Sequence, residues 1–342
     1  MNFPKYITEN GGVIGFPAPS FGCAIEPYFS AFQNAKNKLT EMGFQIQEGP
    51  NVYADTGIGI SSTPENCAEE FMQMYLNKNV NAMISCGGGE LMCEILPYMD
   101  FEKLKEAAPK WFMGYSDNTN LTFLLATIAD TASIYGPCAA AFGMEPWHPA
   151  IEDAIALLQG KKQTMKNYPL WEKESRKDEE HPYAPYHVTE PFHPVTNREE
   201  DTLEIKGRLL GGCLDCLSCL PGTRFDNVRE FNERYRDDGI LWFLESCDLN
   251  VMDMRRRLWS LREAGWFDCA SGFLIGRPMH YDEPMMGLNR HSAVTGILSE
   301  LGVPVIMDLD IGHLPPMMPL ICGSLATAGV HDGQFTIQME LR

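Results

Sequence analysis

The chain has 342 residues, 44% of them hydrophobic, and a formal net charge of −19 at pH 7. This length suits two domains of ordinary size, each with a buried core, so intrinsic disorder is not expected. The negative charge is spread along the sequence and should repel nucleic-acid backbones and acidic lipid surfaces. We therefore expect neither nucleic acid nor a membrane as a partner, although one pocket could still hold an anion with backbone dipoles.

The N-terminal residues lack the basic and apolar regions of a secretion signal, and no run approaches the ~18 apolar residues that span a bilayer. These features predict a cytoplasmic protein. The eleven cysteines agree with that location, because a large core can hold free thiols, whereas disulfide frameworks mostly serve small secreted domains. We expect the cysteines to be reduced.

Strand-like runs alternate with helical periodicity along the chain. Apolar residues in two stretches recur at i, i+3, i+4 and i+7, the spacing of one helical face. Strands that alternate with helices predict parallel sheets with helices packed outside. The strand-like runs are residues 82–86, 111–115, 240–245, 272–276 and 303–309. The helical faces are Ala68, Phe71, Met72 and Tyr75, and Val294, Ile297, Leu298 and Leu301.

This pattern breaks between about residues 166 and 205, where charged, proline and aromatic residues follow one another without a sustained period. We interpret the segment as an interdomain connection or a long surface loop. The predicted organisation is an N-terminal domain over 1–165, a linker over 166–205 and a C-terminal domain over 206–342.

The stretch MGYSDNT, residues 113–119, ends an apolar run at Ser116 and Asp117 and leads directly into a helix-like segment. A strand-to-helix elbow would expose the Ser116 hydroxyl at the carboxyl edge of a sheet and present the Asp117 N–H at the start of a helix. A serine nucleophile also needs a base, a partner that orients the base, and donors for the oxyanion. The alternative is that both residues only cap the helix.

A glycine-rich turn follows another predicted strand. In SCGGGELMCEI, residues 85–95, Gly87, Gly88 and Gly89 separate a strand from a predicted helix. Glycine permits close backbone approach, and N–H groups at a helix start favour an anion or a developing oxyanion. An ordinary tight turn would explain the same glycines.

Two further residues could supply the base and its partner. The apolar run ILWFLE ends at Glu245, and His313 follows Gly312 just before two prolines. A carboxylate at the end of a strand can be a cap, a partner for an arginine or the orienter of a catalytic imidazole. A histidine in a loop is most often a surface residue, so the residues alone leave these alternatives open.

In combination and in chain order, these segments resemble the LD-carboxypeptidase family, which includes the microcin C immunity peptidases. The resemblance covers essentially the whole chain. It implies an α/β fold: an N-terminal parallel-sheet domain with a nucleophile elbow, a smaller C-terminal α/β domain, and an active site in the cleft between them. It also implies a homodimer without a cofactor. The motifs are GYSDNT, SCGGGE, GRLLGGCLDCLSCLPGT, ILWFLE, GFLIGRP and DIGHLPPMMPLICG.

The resemblance also implies a role for individual residues. Ser116 matches the family nucleophile, Glu245 the carboxylate that orients the base, and His313 the general base. The backbone N–H groups of Gly88 and Asp117 match the oxyanion hole. One position departs from the family, which often has Asn after two glycines where this chain has Cys213. That change puts in doubt how the turn is braced or how the substrate is held.

The implied activity is that of a serine peptidase that hydrolyses an amide bond in a small peptide-like substrate. One substrate class is a peptidyl or aminoacyl nucleotide, as in processed microcin C, with a role in self-immunity. The other is a cell-wall tetrapeptide that loses its terminal D-alanine in peptidoglycan recycling. We favour the nucleotide because Trp171 could stack on an adenine; Gly87 is a second candidate substrate contact. A non-catalytic module that binds an anionic ligand is the third alternative.

We expect no metal site. Cys213, Cys216 and Cys219 have a C-x-x-C-x-x-C spacing, but a ferredoxin-like run would continue with another cysteine and proline, and here Leu-Pro-Gly-Thr follows. A spacing of three also fits one inward-packed helical face, which we favour. Three histidines in the segment 166–205 match no compact metal motif either. They are His181, His187 and His193.

Overall fold

The computed structural model describes residues 1–8, 11–198 and 202–342. The chain forms two compact units, Met1–Lys162 with Glu174–His187, and Gln163–Lys173 with Val188–Arg342. The segment 166–205, predicted to be a linker, is divided between them, since its middle belongs to the first unit and its flanks form short strands in the second. Residues 199–201 of that segment lie outside the described residues.

The first unit is built on parallel strands, as the alternating sequence pattern predicts. Its strands are β1 Val13–Phe16, β2 Gln45–Glu48, β3 Ala82–Ile84, β4 Trp111–Gly114 and β5 Ser133–Tyr135. Its helices are α1 Tyr28–Glu41, α2 Pro64–Leu76, α3 Phe101–Glu106, α4 Thr119–Thr127 and α5 Pro149–Leu158. The strands pair in the order β5-β4-β3-β1-β2, and every pair is parallel.

Helix α2 shows how the predicted periodicity becomes packing. It begins after Thr63, whose side chain accepts a hydrogen bond from the Asn66 N–H at 3.2 Å, a standard N-cap contact. Its predicted apolar face is buried except for Met72, which is half-buried. Phe71 packs edge-on against Phe112 of β4, with ring centroids 5.1 Å apart. This packing fixes the strand that leads into Ser116.

The second unit contains a mixed sheet. The strands of the whole unit are β6 Thr164–Lys166, β7 Leu170–Trp171, β8 Glu190–Pro191, β9 Val195–Thr196, β10 Thr202–Cys213, β11 Ile240–Glu245, β12 Ala270–Gly276, β13 Val305–Leu309, β14 Leu320–Cys322, β15 Leu325–His331 and β16 Gln334–Glu340. Eight of them form the mixed sheet, and β7 and β8 pair separately. Its helices are α6 Leu214–Leu217, α7 Val228–Arg234, α8 Val251–Glu263 and α9 Arg290–Leu298. The strand order is β6-β16-β15-β10-β11-β12-β13-β9.

Strands β10 to β13 are the parallel part of this sheet. Parallel strands end at the same edge, and the register pairs Cys213 of β10 with Glu245 of β11. The predicted helical face over 294–301 is buried within α9, but Leu301 lies beyond the end of that helix in a 3-10 turn. Glu245 lies at the edge where β10 and β11 end.

No helix in the described ranges combines the length and the hydropathy that a membrane crossing requires.

Candidate active site

Ser116 occupies a sharp elbow, as the sequence predicts. β4 ends at Gly114, a 3-10 turn covers Ser116–Asn118, and α4 begins at Thr119. Ser116 has φ 62°, a left-handed conformation that costs a non-glycine residue about 1–3 kcal/mol. The surrounding structure must hold it, and the Tyr135 hydroxyl accepts a hydrogen bond from the Ser116 N–H at 3.2 Å.

The capping alternative for this serine does not fit the structure. The N-cap of the 3-10 turn is Tyr115, and the N-cap of α4 is Asn118. The Asn118 side-chain amide donates to the carbonyl oxygens of Gly87 at 2.8 Å and Tyr115 at 3.0 Å. Asn118 thus joins the elbow to the glycine turn, a role that the sequence did not reveal.

The glycine turn lies directly against the elbow. A Cβ atom built on Gly88 would stand 3.0 Å from the Ser116 Cβ and 3.1 Å from its Oγ, so the main chain there runs beside the hydroxyl. The Gly88 carbonyl accepts the Phe21 N–H at 2.8 Å, which anchors the turn. The helix predicted after the glycines is a 3-10 helix, Met92–Tyr98, rather than an α-helix.

The Asp117 side chain makes contacts that the sequence did not reveal, whereas the role of its backbone N–H stays a prediction. Its Oδ2 accepts hydrogen bonds from the Ser20 hydroxyl at 2.6 Å and the Met92 N–H at 2.9 Å, and its Oδ1 accepts one from the Asn120 amide at 3.1 Å. Burial raises the pKa of the Asp117 carboxyl to about 6, against the hydrogen bonds that lower it. This carboxyl connects the segments that carry Ser20, Met92 and Asn120.

Glu245 and His313 lie together in the second unit. The His313 Nδ1 is 2.8 Å from the Glu245 Oε2, and the side chains are 12% and 0% exposed. Gly312 makes this approach possible, because it has φ 103° and a Cβ there would stand 2.5 Å from the Glu245 Oε2. Of the alternatives that the sequence left open, the structure gives Glu245 a histidine partner and makes His313 a half-buried residue rather than a surface one.

The environment of His313 favours the imidazolium. Burial alone would lower the pKa of the imidazole, but the Glu245 charge and hydrogen bonds with Cys247 and Glu245 hold this pKa well above its usual value. Burial raises the pKa of the Cys247 thiol, while its bond to His313 lowers it. The contact between Cys247 and His313 was not predicted from the sequence. The signal that could have indicated it is the position of Cys247 two residues after Glu245.

Trp171 lies in β7, in the second unit, and is only 4% exposed. The Tyr281 ring packs against it at a centroid distance of 4.9 Å, and the Arg277 guanidinium lies 4.9 Å from its centroid. Trp171 lines a cavity of about 160 Å³ together with Lys173 and His193. Because Trp171 is almost fully buried, little of its ring surface is accessible for stacking. The expected contact with an adenine stays a prediction.

The Cys213 motif is not one inward helical face, and that interpretation was wrong. β10 runs through Cys213, and α6 covers only Leu214–Leu217, so Cys213 is buried, Cys216 half-buried and Cys219 exposed. Within residues 1–8, 11–198 and 202–342, no group of three or more His, Cys, Asp and Glu side chains is arranged to hold a metal ion.

Known proteins match both halves of the chain. Residues 14–136 match the LD-carboxypeptidase N-terminal domain, and residues 206–328 match the LD-carboxypeptidase C-terminal domain. The chain belongs to the LD-carboxypeptidase family. This confirms the resemblance seen in the sequence motifs, and it places the protein among hydrolases of the serine carboxypeptidase type.

Relatives within the LD-carboxypeptidase family cover nearly the full length. The chain is 27% identical over 336 residues to a Vibrio cholerae protein named as an unconfirmed carboxypeptidase. The alignment covers 96% of this chain and 95% of that protein. It is 26% identical over 323 residues to the microcin C7 self-immunity protein MccF of Escherichia coli, with coverage of 92% and 89%.

Solved structures show the same mixed α/β two-domain fold. The MccF-like protein from Bacillus anthracis str. Ames has a TM-score of 0.84 at 21% identity and covers 100% of both chains. MccF in complex with glutamyl sulfamoyl guanosine has a TM-score of 0.80 at 21% identity, over 99% of this chain and 98% of that chain. The predicted fold class is confirmed.

Proposed function

We propose that the protein is a serine hydrolase whose catalytic triad is Ser116, His313 and Glu245, and that it cleaves an amide bond in a peptidyl or aminoacyl nucleotide of the microcin C type. The observation that carries the proposal is the 2.8 Å hydrogen bond between the His313 Nδ1 and the buried Glu245 Oε2. A carboxylate on Nδ1 fixes the ring and its tautomer and leaves Nε2 to act as a base.

The proposed reaction begins when the Ser116 Oγ attacks the amide carbonyl carbon and His313 accepts the hydroxyl proton. Glu245 stabilises the imidazolium that results. The backbone N–H groups of Gly88 and Asp117 donate to the oxyanion, and loss of one such donor typically costs roughly 100- to 1000-fold in rate. His313 then protonates the leaving nitrogen, and water hydrolyses the acyl-enzyme with His313 again as base.

Ser116 belongs to the first unit, and Glu245 and His313 belong to the second. The proposal therefore requires both units to act on one substrate. Support from the first unit is the left-handed φ of Ser116 and the nearness of Gly88 to its hydroxyl. A module that only binds an anion would not need His313, Glu245 or the strained Ser116. Their presence argues against that alternative.

The choice of substrate is supported by relatives rather than by Trp171, which is almost fully buried. MccF is named for self-immunity to microcin C7, and structures of it contain glutamyl sulfamoyl guanosine and aspartyl sulfamoyl adenosine. The second candidate function is removal of a terminal D-alanine from a cell-wall tetrapeptide, which the name of the family favours.

Mass spectrometry of a two-substrate panel tests the proposal. The protein is incubated with an aminoacyl sulfamoyl adenylate and with a muropeptide tetrapeptide, and Ser116→Ala serves as the control. We expect the nucleotide conjugate to release its amino acid and the muropeptide to stay intact, with no turnover by Ser116→Ala. Cleavage of the muropeptide alone would select the second function, and turnover by Ser116→Ala would contradict the assigned nucleophile.

A further inference from the structure

Cys213 lies next to Glu245 in the paired strands β10 and β11, and neither Cys213 nor Cys216 has a part in the proposed chemistry. Their thiols are hydrogen-bonded to each other. None of the eleven cysteines, all of which fall in the described ranges, forms a disulfide bond. We propose that Cys213 and Cys216 form a reversible oxidation site, in which a hydroperoxide converts the two thiols to a disulfide and disturbs the Glu245–His313 pair.

The local structure brings the two sulfurs together. Cys213 ends β10 and is the N-cap residue of α6, and Cys216 is the third residue of that helix. The Cys213 side chain makes no capping hydrogen bond to the helix backbone, and its thiol contacts the side chains of Cys216 and Asp215. Hydrogen-bonded sulfurs need only a short further approach to reach the ~2.05 Å of a disulfide bond.

Exposure sets the order of the steps. Cys213 is 1% exposed, and its hydrogen bond with Cys216 and its burial raise the pKa of its thiol. Cys216 is half-buried, so it is the thiol that a small peroxide can reach. The peroxide transfers one oxygen to Cys216, which becomes a sulfenic acid, and the peroxide is reduced to water or an alcohol.

The second step uses a neighbouring carboxylate. The Cys213 Sγ donates to the Asp215 Oδ2 at 3.3 Å, so this carboxylate can accept the thiol proton as the Cys213 sulfur attacks the Cys216 sulfenic acid. The sulfur–sulfur bond forms, the sulfur–oxygen bond breaks, and the leaving hydroxide takes a proton to become water. Two thiols are oxidised for each peroxide that is reduced.

Asp215 links this site to the catalytic base. Besides the Cys213 thiol, its Oδ2 accepts the Cys247 N–H at 3.1 Å, and its Oδ1 accepts the Asp248 N–H at 2.8 Å. The Cys247 thiol is hydrogen-bonded to His313. A disulfide removes the S–H donor from Asp215 and pulls the end of β10, so the segment that contacts His313 must shift.

Register adds a second connection. Cys213 is paired with Glu245 in the parallel ladder of β10 and β11, so a displacement of Cys213 acts on the strand end that carries the carboxylate. A misplacement of about 1 Å can cost roughly 100-fold in rate. Oxidation should therefore lower the rate at which Ser116 is acylated, and this consequence rests on the proposed function.

The test uses the full chain treated with hydrogen peroxide as wild type, Cys216→Ser and Cys219→Ser. Peptide mapping by mass spectrometry detects the Cys213–Cys216 cross-link, and a fluorophosphonate probe measures Ser116 acylation. We expect wild type and Cys219→Ser to form the cross-link and lose roughly 100-fold in labelling rate, with recovery in dithiothreitol. Cys216→Ser should form no cross-link and keep its labelling rate.

Absence of the Cys213–Cys216 cross-link in peroxide-treated wild type overturns the proposal, and so does a cross-link that leaves labelling unchanged. Cys247→Ser identifies the competing explanation: if peroxide still inactivates Cys216→Ser but no longer inactivates Cys247→Ser, the responsible thiol is Cys247. If reduced wild type is not labelled at Ser116, the proposed function fails, while the cross-link still reports on the oxidation site.

Discussion

The Asn118 side-chain amide donates a hydrogen bond to the Gly87 carbonyl at 2.8 Å, and this bond joins the Ser116 elbow to the glycine turn. The same amide donates to the Tyr115 carbonyl at 3.0 Å, so one buried side chain holds both parts of the Ser116 environment. A Cβ on Gly114 would stand 2.8 Å from the Asn118 Cβ, which explains why β4 ends in glycine.

Replacement of Asn118 by alanine should loosen the elbow. The half-buried carbonyls of Gly87 and Tyr115 each lose one donor but keep another, from the Ser85 hydroxyl and the residue-118 N–H, so the cost is about 1 kcal/mol for each bond. The elbow also loses its connection to the glycine turn. We expect a lower free energy of unfolding and a fall in Ser116 acylation rate. Urea denaturation and probe labelling measure the two effects. The control is Asn79→Ala, at an exposed position, which should stay within about 0.5 kcal/mol of wild type.

The raised pKa of His313 predicts an alkaline activity profile. The proposed role of His313 as general base requires the neutral imidazole, so kcat/KM should rise as the pH increases through the raised pKa. Stability should change in the opposite sense: the imidazolium stabilises the fold fully below its unfolded pKa, and that contribution is lost as pH rises through the folded pKa. A pH–rate profile and an NMR titration of the His313 ring check both statements.

Glu245→Gln should lower the pKa of His313, because burial then acts without the opposing charge, and should reduce the rate by roughly 10⁴-fold at its plateau. The activity limb should move to lower pH. The matched control is Glu283→Gln, since Glu283 contacts His280 at 2.9 Å in an exposed pair. If both variants give the wild-type profile, Glu245 does not set the His313 titration.

Gly312→Ala should displace the Glu245 carboxylate, because the new Cβ would stand 2.5 Å from its Oε2. The variant combines this collision with the strain of φ 103°, whereas Gly302→Ala has φ 71° and nothing within 4 Å of the new Cβ. We expect Gly302→Ala to lose about 1–2 kcal/mol of stability and to keep the wild-type activity. Gly312→Ala should lose roughly 100-fold in acylation rate as well. Equal activity in the two variants would show that the close approach is unimportant.

Asp117 should make the first unit less stable as the pH rises. The pKa of its carboxyl is raised from an ordinary 3.8 to about 6 in the folded protein. The protonated carboxyl therefore stabilises the fold fully below the unfolded-state pKa, and this stabilisation is lost as the pH rises through the folded-state pKa. The change amounts to about 3 kcal/mol. Urea denaturation at pH 4 and pH 7 should show that Asp117→Asn lacks this dependence relative to wild type. Exposed Asp55→Asn should keep it.

The sequence predicted features with a local signature. The run over 240–245 became β11 with both bounds as expected, and the Ser-Asp pair after 111–115 became an elbow because an apolar strand met residues that tolerate a turn. Contacts between distant positions left no such signature. The Ser20–Asp117 hydrogen bond spans 97 residues, and the Asp215–Cys247 contact spans 32, so neither appears in any periodicity.

Short elements were missed for a different reason. β7 and β8 have two residues each, too few for alternation to be visible, and they are held by their antiparallel pairing rather than by composition. The segment 166–205 therefore resembled a linker. For the cysteine motif, a spacing of three suggested a helix, although β10 extends through Cys213 and α6 is a single turn.

The ladder between β10 and β11 restricts how the gene can vary. Six consecutive residue pairs run from Arg208 with Ile240 to Cys213 with Glu245. Side chains alternate between the two faces of a strand, so inserting or deleting one codon within β11 would send the carboxylate at its end to the opposite face. Evolution can exchange one apolar residue of β11 for another. The length of β11 cannot change, because Glu245 must keep its distance from Ile240.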